Sequence, residues 1–591
     1  MSLRASVAIA CVILTAAVSF GVRSLTWDDA IRSDRVYFYG TDGWYHMRRI
    51  VHAVDNELRL TDFPKPDPYL NYPDGGESYW GPLFDLSIAA GLVIFGVEER
   101  PEQEVIAAVI PACLGALCSV GMFLAGWSTF GWGTGLVAAA LLAILPGHIT
   151  YSQLGHLDHH VLESLLFVLL LASFMGLLSA PSRTLVVVGS ALTLCLFLTT
   201  PITSIVHVMV LTAYAIVEIR SRGVSARYLS VSLALAAILL LPLCLYWIAT
   251  PTTGLRTWGG LPPWLLFERL SLLQPLVLLL AAVATSIAER ISVRLASAGT
   301  ALAAILLWPL LAGLGVLLRQ SPDVAYTSEM QSILHVPGQA GSSVGPGIEL
   351  FGLFFPFVGL IAGYRVWREP EHRGIWAATL VGFSLVLIQV RFVYTFSFFM
   401  VLLLARMPTI LPRHRWLGAV ALAISLFPCI NWIDALAHQK HYRSITPAMY
   451  DALRWLREVS PSGTNYSVLA SWDLGHAIVY LAERPVVADP FNHGFEAMAR
   501  YFTSVEPDEA QAILEEKRVG YVIPTNLGHP YLRDMFLAYA RRPAGFPVSR
   551  EVLGRGPLEL ERLYESPDGS VLILEGAGLY GERAPAEAGR R

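Results

Sequence analysis

Residues 155–179 read GHLDHHVLESLLFVLLLASFMGLLS, and this stretch decides the fold class of the chain. Three histidines, an aspartate and a glutamate lie within its first nine positions, and an apolar run of about the length that crosses a lipid bilayer follows directly. Ionisable groups at the edge of a membrane are costly unless they are paired or functional. The stretch therefore predicts a membrane helix that begins at a functional cluster of acids and imidazoles.

The composition of the whole chain agrees with a membrane protein. Hydrophobic residues make up 54% of the 591 residues, and charged residues only 15%, whereas soluble domains are about 25% charged. The charge is concentrated at the end of the chain, because 38 charged residues lie among the 158 residues from Asp434 onward. We predict a membrane-embedded region over 1–433 and a soluble domain over 434–591. The small net charge of −4 argues against a nucleic-acid partner.

Uncharged apolar runs of spanning or near-spanning length recur thirteen times before the soluble domain. They lie at about residues 5–22, 105–127, 132–150, 161–179, 184–200, 203–217, 228–249, 270–288, 295–318, 350–364, 374–390, 392–405 and 416–433. We interpret the first run as an uncleaved span, because no small-residue cleavage site follows Arg23. The apolar piece from Leu83 to Val97 is short for a span of about 20 residues and predicts an interfacial helix.

Arginine placement tests this count, because cytoplasmic loops carry an excess of Lys and Arg. With thirteen spans, one side receives the arginine-rich junctions, namely Arg183, Arg220, Arg222, Arg227, Arg290, Arg294, Arg365, Arg368, Arg373, Arg406, Arg413 and Arg415. We assign that side to the cytoplasm. The long loops over 27–104 and 319–349 and the soluble domain then lie outside. The sequence thus predicts a multi-pass protein of the plasma (inner) membrane with an extracytoplasmic C-terminal domain.

The soluble domain has the pattern of a mixed α/β domain. Thr446-Pro447 is a helix start, in which a capping residue precedes proline at the first helical position, and the helix is predicted to reach about Glu458. Short apolar strands are predicted near Val468, Val486 and Tyr521, and a hairpin is predicted over 563–574 around Pro567-Asp568-Gly569.

Two predicted external loops place acid and imidazole groups at a membrane boundary. Asp42 and His46 are four residues apart, so on a helix they would share one face and could bind one cation or each other. Asp158 and His160 begin a span, where they can present an oxygen and a nitrogen to a divalent ion. The alternatives are a helix cap within an interfacial aromatic belt for Asp42 and a helix cap beside surface histidines for Asp158.

Three further sites carry polar groups on the same predicted side. Glu329 lies in the loop over 319–349, where it either completes a site or is a solvated loop residue. Arg391 lies between two uncharged runs, where it either binds a phosphate or extends to the membrane surface. Trp472 and Asp473 follow a strand, where they either bind a hydroxyl or amide group or form a buried tryptophan beside a helix cap.

Over about residues 1–530, the chain resembles the catalytic subunits of oligosaccharyltransferases, the Stt3/PglB/AglB family. The resemblance rests on the two loops and the three further sites just described, taken in their order along the chain. Members of that family transfer a glycan from a polyprenyl (pyro)phosphate to the asparagine of an Asn-X-Ser/Thr sequon. The resemblance implies a polytopic α-helical fold of the GT-C type, with about 13 transmembrane helices and an extracytoplasmic α/β domain. Ser471 and Leu474 stand where the family has Trp and Tyr in its Trp-Trp-Asp-Tyr-Gly motif.

The resemblance also implies a role for each candidate residue by its position. The ligands of a catalytic Mn²⁺ or Mg²⁺ ion would be Asp42, Asp158, His160 and Glu329. Glu329 would also bind the acceptor asparagine, Arg391 would contact the donor pyrophosphate, and the pair Trp472-Asp473 would hold the sequon hydroxyl. The residues implied to be catalytic are Asp42, Asp158 and Glu329.

The predicted function is the metal-dependent transfer of an oligosaccharide from a polyprenyl (pyro)phosphate carrier to asparagine, on the external membrane face, by a single-subunit glycosyltransferase. The predicted partners are the lipid-linked donor, acceptor proteins with Asn-X-Ser/Thr, and membrane lipid. The alternative is a related GT-C glycosyltransferase that uses a polyprenyl-phosphate sugar to modify a lipid, a polysaccharide or a hydroxyl group. A transporter agrees less well, because its ionisable groups would lie at mid-membrane rather than at loop ends.

Overall fold

The computed structural model describes residues 3–32, 35–60, 63–78, 80–179, 184–200, 204–249, 262–265, 270–290, 332–334, 345–409, 415–438, 444–461, 463, 465–527, 530–543, 546 and 554–576. The apolar run predicted over 295–318 and the candidate residue Glu329 lie outside these described residues.

The described part of the N-terminal region consists mainly of helices, with one small hairpin after the first helix. Its helices are α1 (Leu3–Arg23), α2 (Trp27–Ala30), α3 (Asp42–Asp55), α4 (Leu83–Ile94), α5 (Arg100–Phe130), α6 (Trp132–Ile144), α7 (Pro146–Ile149), α8 (His160–Ser179), α9 (Thr184–Leu198), α10 (Ser204–Arg222), α11 (Arg227–Ala249), α12 (Leu273–Ala288), α13 (Gly345–Phe351), α14 (Val358–Arg368), α15 (Arg373–Ile388), α16 (Val393–Ala405), α17 (Arg415–Ser425) and α18 (Phe427–His438). The hairpin consists of β1 (Ile31–Arg32) and β2 (Arg35–Val36).

Many of these helices have the length and composition of membrane spans. Within the described residues, seven segments are long and apolar enough to cross a membrane, namely Ser6–Ala30, Arg100–Phe130, His160–Ser179, Ser204–Arg222, Arg227–Ile248, Val390–Thr409 and Arg415–His438. The helix α4 has 12 residues and is too short to span, in agreement with the predicted interfacial helix. The total of thirteen spans stays a prediction.

Three runs that the sequence predicts as continuous spans are divided in the structure. The run over 132–150 breaks at Leu145, whose backbone is extended, because the ring of Pro146 cannot continue the helix that ends at Ile144. The run over 350–364 belongs to a broken pair bent by 100°, with Gly352 at a φ of +86° at the break. The run over 416–433 forms two helices separated by Leu426 alone, and Arg415–His438 as a whole still has the length and composition of one span.

A buried arginine organises the loop that leads to the 155–163 stretch. Arg23, the last residue of α1, donates to the carbonyls of Leu142 and Ala143 at the end of α6, so that it caps that helix. It also donates to Ser152 Oγ at 2.8 Å. The Leu154 N–H in turn donates to the Arg23 carbonyl at 2.9 Å. The end of the first helix therefore positions the backbone just before the acid and imidazole cluster.

The C-terminal domain is a four-stranded mixed sheet with helices packed against it. Its helices are α19 (Pro447–Val459), α20 (Gly475–Ala477), α21 (Phe495–Thr503), α22 (Pro507–Glu516) and α23 (Pro530–Tyr539), and its strands are β3 (Ser467–Leu469), β4 (Val519–Val522), β5 (Arg562–Glu565) and β6 (Leu572–Glu575). The strand order is β3-β4-β6-β5, in which β3 and β4 are parallel and the other pairs antiparallel.

Most local predictions for this domain are confirmed. The Thr446 side chain accepts a hydrogen bond from the Met449 N–H and caps α19, as the Thr-Pro pair predicts. The hairpin predicted over 563–574 is the antiparallel pair β5–β6. The strand predicted near Val486 is only a single bridge to Val468, because the chain turns away after one paired residue.

The C-terminal domain packs directly onto the first external loop. One hydrophobic core contains Trp44 and Tyr45 of α3 together with Tyr450 of α19 and Ile478, which follows α20. The Trp44 indole donates to Ser444 Oγ at 2.5 Å. The helix that begins at the first candidate aspartate is therefore held between the N-terminal helices and the C-terminal domain.

Candidate active site

The first external loop and the loop before α8 contact each other. The Tyr39 N–H donates to the Gly155 carbonyl at 2.9 Å. Gly40 has a φ of +74°, and a side-chain carbon at this position would lie 3.9 Å from the His156 ring. The two loops that carry the candidate aspartates therefore lie side by side.

Asp42 is the first residue of α3 and lies at an open edge of this contact. Its side chain is 36% exposed and lies at the helix N-terminus, where negative charge is favoured. Thr41 Oγ1 donates to Asp42 Oδ1 at 3.2 Å, and His476 Nδ1 lies 3.5 Å from the same oxygen. The partner that faces Asp42 is therefore a histidine of the C-terminal domain, whereas His46 turns to another acid.

Asp158 lies deeper and is surrounded by imidazoles. Its Oδ1 accepts hydrogen bonds from His159 Nδ1 at 2.9 Å and from the His160 backbone N–H at 3.3 Å. His156 Nε2 lies 3.8 Å from Oδ2. Burial raises the pKa of Asp158, but the charges of His160 and His159 outweigh burial and hold that pKa well below its usual range. Asp158 is therefore ionised at neutral pH, in the form that binds a cation.

His46 belongs to the same cluster and is fully buried. Its Nδ1 donates to Asp85 Oδ1 at 2.6 Å, and Arg49 Nε lies 3.1 Å from the other Asp85 oxygen. Its Nε2 lies 3.3 Å from His159 Nδ1. Trp80 stacks on the His46 ring with 4.1 Å between the ring centroids. Burial lowers the pKa of His46, partly opposed by Asp85, so that the ring is neutral at pH 7.

His160 faces away from this pair and joins a buried network in the membrane region. Its Nδ1 lies 3.2 Å from Glu163 Oε2, and its ring stacks on Tyr394 at 4.9 Å between centroids. Tyr394 donates its hydroxyl to the same Glu163 oxygen at 2.6 Å. His207 Nδ1 lies 3.6 Å from the other Glu163 oxygen. Glu163 therefore holds the His160 ring within α8 and is itself contacted by side chains of two other helices, α10 and α16.

Arg391 lies in the short turn Val390–Phe392 between α15 and α16. Tyr394 lies three residues after Arg391, at the start of α16, and its hydroxyl donates to Glu163. The arginine segment and the His160 imidazole are therefore connected through one buried carboxylate. The binding of a donor phosphate by Arg391 stays a prediction.

The Trp-Asp turn, residues 471–476, lies at the edge of β3 in the C-terminal domain. The Trp472 N–H donates to Met498 Sδ at 3.2 Å, and the Trp472 ring lies 5.4 Å from the Phe495 ring. Burial raises the pKa of Asp473 from its ordinary value of 3.8. One oxygen of Asp473 is buried and has no hydrogen-bond partner among the described residues. Met498 and Phe495 of α21 thus form a wall beside the turn, which sequence spacing did not reveal.

His476 ends the Trp-Asp turn and connects it to Asp42. The ring is fully buried and stacks on Tyr45 at 4.9 Å between centroids. Neither ring nitrogen makes a hydrogen bond within the described part of the chain. A buried polar group in this state requires a partner such as water or a ligand. His476 directly follows Gly475 at the end of the Trp-Asp motif, and its contact with Asp42 joins positions 434 residues apart, so local spacing could not reveal it.

The described residues contain one group of side chains with metal-ligand spacing. His46, Asp158 and His159 each offer one ligand atom, and these atoms lie within 4.8 Å of one another. We call this group the imidazole cluster. Carboxylate and imidazole groups are suitable ligands for a divalent ion, and the Asp85 carboxylate behind His46 is the outer partner that metal-bound histidines commonly have. Asp42 and His160 flank this group, and Glu329 lies outside the described residues.

Comparison with known protein families gives two matches along the chain. Residues 8–319 match the family model of oligosaccharyl transferase STT3, N-terminal. Residues 431–527 match the AglB core domain model. The first match covers more than half of the chain.

Individual proteins agree with these matches. The chain is 25% identical over 540 residues to dolichyl-phosphooligosaccharide-protein glycotransferase 2 of Archaeoglobus fulgidus, which covers 83% of this chain and 82% of that protein. The fold of this chain is similar to that of the A. fulgidus oligosaccharyltransferase AglB solved with an inhibitory peptide and a dolichol-phosphate. The TM-score is 0.75 at 19% identity, over 97% of this chain and 74% of that one.

Two further structures of an A. fulgidus oligosaccharyltransferase show the same fold. One is a complex with Zn and sulfate, with a TM-score of 0.69 at 21% identity over 96% of this chain and 73% of that one. The other is tethered to an acceptor peptide with the NVT sequon, with a TM-score of 0.71 at 20% identity over 97% of this chain and 74% of that one.

Proposed function

The chain belongs to the STT3 family of oligosaccharyltransferases, and we propose that it transfers a glycan from a polyprenyl carrier to asparagine on the external face of a membrane. As a member of this family it is an integral, multi-pass membrane glycosyltransferase that transfers lipid-linked oligosaccharide to protein. The orientation, the metal requirement and the residue roles form the proposal.

The observation that carries the proposal is the contact between Asp42 and His476. It brings a first-loop carboxylate to within 3.5 Å of the last residue of the Trp-Asp turn. The Asp158 loop lies beside the first loop, through the hydrogen bond between Tyr39 and Gly155. A group bound by the Trp-Asp turn would therefore be presented to the aspartates.

We propose that Asp42, Asp158, His160 and Glu329 hold a Mn²⁺ or Mg²⁺ ion. A relative of the same fold was solved with Zn and sulfate, which supports a divalent cation in this family. When bound, the ion would act as a Lewis acid that neutralises the departing phosphate. Asp158 is ionised without any ion present, whereas the His160 ring is held by Glu163 and would have to turn to reach the ion.

The acceptor would be held by the Trp-Asp turn. Trp472 offers a flat apolar face, and Asp473 has a buried oxygen that can accept a hydrogen bond from a sequon hydroxyl. A relative of the same fold was solved with an acceptor peptide containing the NVT sequon. An amide nitrogen is a poor nucleophile, and we propose that Glu329 orients it toward the sugar carbon.

The donor would be held at the membrane by Arg391. A guanidinium binds phosphate through paired hydrogen bonds, and a relative of this fold was solved with a dolichol-phosphate. The hydrophobic helices around this segment would accommodate the polyprenyl chain. Because the arginine-rich junctions would face the cytoplasm, we propose that the Arg391 turn, both loops and the C-terminal domain lie on the external side.

A transfer assay tests this function. Purified full-length protein receives a lipid-linked oligosaccharide, Mn²⁺, and one of two peptides that differ only by Asn→Gln in the sequon. We expect glycosylation of the Asn peptide alone, loss of product in Asp158→Ala, and wild-type product in the control Asp74→Ala, which changes an exposed acid of the first external loop. Modification of a hydroxyl acceptor with neither peptide glycosylated would instead indicate the related GT-C glycosyltransferase class.

A further inference from the structure

The helix α14 carries an exposed row of apolar and aromatic side chains. Leu360, Tyr364 and Trp367 are 75%, 51% and 77% exposed. Their spacing of four and three residues places them on one face of the helix, over a length of about 10 Å. We call this row the α14 stripe. Arg368 lies at its end, with the guanidinium carbon 5.7 Å from the centroid of the Tyr364 ring. The stripe therefore ends in an aromatic ring beneath a cation, an arrangement typical of a membrane boundary.

The inward face of the same helix end carries an arginine whose charge is matched. Arg365 is 1% exposed and donates to Glu369 Oε1 at 2.6 Å. It also donates to the Arg406 carbonyl at 2.7 Å, and its guanidinium lies 4.9 Å from the centroid of the Trp376 ring. These contacts attach the end of α14 to α15 and to the end of α16. A structural role therefore accounts for Arg365, and Glu369 serves that role.

Two exposed arginines at this end of α14 have no such partner. Arg373 Nε donates to the Val366 carbonyl at 3.2 Å, which places its guanidinium beside the last turn of α14, where Arg368 lies. Neither arginine forms an ion pair within the described part of the chain, and the exposed acid Glu371 of the same connection is paired with neither. We call Arg368 and Arg373 the outer arginine pair. Its charge is therefore available to an anion at the end of the stripe.

The outer arginine pair is distant from the proposed donor site. Arg373 is the first residue of α15, and Arg391 lies in the turn that follows the end of α15 at Ile388. A helix of 16 residues is about 24 Å long, so the two sites lie at its opposite ends. Arginine placement also predicts that the pair faces the cytoplasm. A ligand of the pair is therefore not the glycan donor at Arg391.

We propose that the outer arginine pair binds the phosphate of an anionic membrane lipid, whose acyl chain lies along the α14 stripe. Guanidinium groups bind phosphate through paired N–H groups, and arginines at the membrane surface attract anionic lipids. A soluble anion would contact only the arginines, whereas a lipid has both a phosphate and an apolar chain. The lipid would hold the outer side of the helix end that Arg365 holds from within. This site is independent of glycan transfer.

Lipid binding by the purified full-length protein tests the site. The probe is phosphatidylglycerol, which is anionic, and the comparison is phosphatidylcholine with the same chains, which has no net charge. Native mass spectrometry from detergent measures how much of each lipid the protein retains. We expect phosphatidylglycerol to bind at least about 10-fold more tightly, because two arginines contribute. Arg368→Gln and Arg373→Gln should each weaken phosphatidylglycerol binding about 5-fold and leave phosphatidylcholine binding unchanged.

Three further variants separate lipid binding from fold stability. Arg227→Gln removes an exposed arginine on the same predicted side but on a different helix, α11, and should bind phosphatidylglycerol as the wild type does. Arg365→Gln should lower the unfolding temperature without lipid, because it breaks a buried ion pair. Arg368→Gln should not, because its side chain is exposed. Trp367→Ala should weaken the binding of both lipids, because it removes contact with the acyl chain.

Other outcomes would overturn the proposal. Equal retention of the two lipids, or an equal loss in Arg227→Gln, would show only general attraction of lipid to a positive surface. Displacement of phosphatidylglycerol by soluble glycerol phosphate would instead identify a site for a free anion. A dimer in lipid-free detergent that Arg368→Gln dissociates would assign the stripe to a second copy of this chain. Because no glycan is involved, these results and those of the transfer assay stand or fail separately.

Discussion

The imidazole cluster and the Trp-Asp turn are both polar and largely buried, but they differ in how their polar atoms are satisfied. In the cluster, Asp158 and His46 are held by neighbouring rings and by Asp85. In the turn, one oxygen of Asp473 and both nitrogens of His476 have no hydrogen-bond partner among the described residues. Under the proposed function, the cluster would be organised before substrate arrives, whereas a bound group would complete the turn.

The two candidate aspartates show the same contrast. Asp158 has an 8% exposed side chain among imidazoles, and Asp42 has a 36% exposed side chain with one histidine facing it. Under the proposed function, Asp158 would hold a cation within the protein. Asp42 lies at the open edge of the site, where its carboxylate would be accessible to a cation and to an incoming substrate.

The largest expected effect separates these two aspartates. Asp158→Ala and Asp42→Ala should each reduce glycan transfer at least about 100-fold, because each removes a carboxylate from the proposed ion. Only Asp158→Ala should also lower the unfolding temperature, because it leaves buried imidazoles without their carboxylate. Transfer rates and thermal unfolding of the detergent-purified variants measure both effects. Wild-type transfer by either variant would refute its assignment.

Removing the carboxylate that orients His160 should have a smaller effect. Glu163→Gln keeps the side-chain volume but loses the charge that holds His160, Tyr394 and His207. We expect the affinity for Mn²⁺ to fall about 10–100-fold, the usual effect of changing an outer partner of a metal ligand. Titration of Mn²⁺ in the transfer assay measures this affinity.

A matched control for that variant is available elsewhere in the membrane region. Glu218→Gln changes another buried glutamate, one that accepts from the Gly374 N–H at 2.9 Å on a different pair of helices. It should leave the Mn²⁺ affinity unchanged. An equal loss in both variants would show that the effect of Glu163 is general destabilisation rather than orientation of His160.

The connection between turn and cluster should respond to His476. We expect His476→Ala to lower kcat about 10-fold with little change in metal affinity, because its ring positions Asp42 and stacks on Tyr45. The exposed histidine variant His438→Gln should have wild-type kinetics. A change confined to the KM for peptide would instead show that His476 contacts the acceptor and does not position Asp42.

The smallest expected effect is a pH dependence of acceptor binding. Burial raises the pKa of Asp473 above 3.8, so Asp473 takes up a proton at a higher pH than an exposed aspartate does. The same shift stabilises the fold in acid, and this contribution is lost as the pH rises through the raised pKa. Peptide affinity should therefore fall on the acid side, as the carboxylate is protonated.

Asp473→Asn isolates that titration. The variant should bind peptide about 10-fold more weakly at neutral pH, because a charged acceptor is replaced by a neutral one. Its affinity should no longer change with pH on the acid side. Peptide binding by the wild type and the variant across the acid range measures both, and an unchanged acid-side slope in Asp473→Asn would assign the dependence to another group.

The sequence predicted the features that depend on local patterns. The Thr446 helix cap and the β5–β6 hairpin follow from residue types within a few positions, and both are confirmed. Breaks within the apolar runs were not predicted. The runs were identified by their lack of charged residues, and this criterion does not consider that a proline such as Pro146 can end a helix.

The pairing of polar groups could be predicted only in part. Spacing placed Asp42 and His46 on one helix face, but His46 pairs with Asp85 from another helix 39 residues away. His476 faces Asp42 from a different domain, and Tyr394 bonds to Glu163 across 231 residues. Tertiary packing determines such contacts, and a single sequence does not show which residues far apart in the chain lie close together in space.

The central claim is that residues from separate external loops bind one ion at the membrane boundary. The most direct measurement is an anomalous-scattering map of the protein crystallised with Mn²⁺. We predict one peak within about 2.0–2.6 Å of carboxylate oxygens of both Asp42 and Asp158, with imidazole nitrogen completing the site. Separate peaks at the two aspartates, or no peak at either while other sites are occupied, would contradict the account.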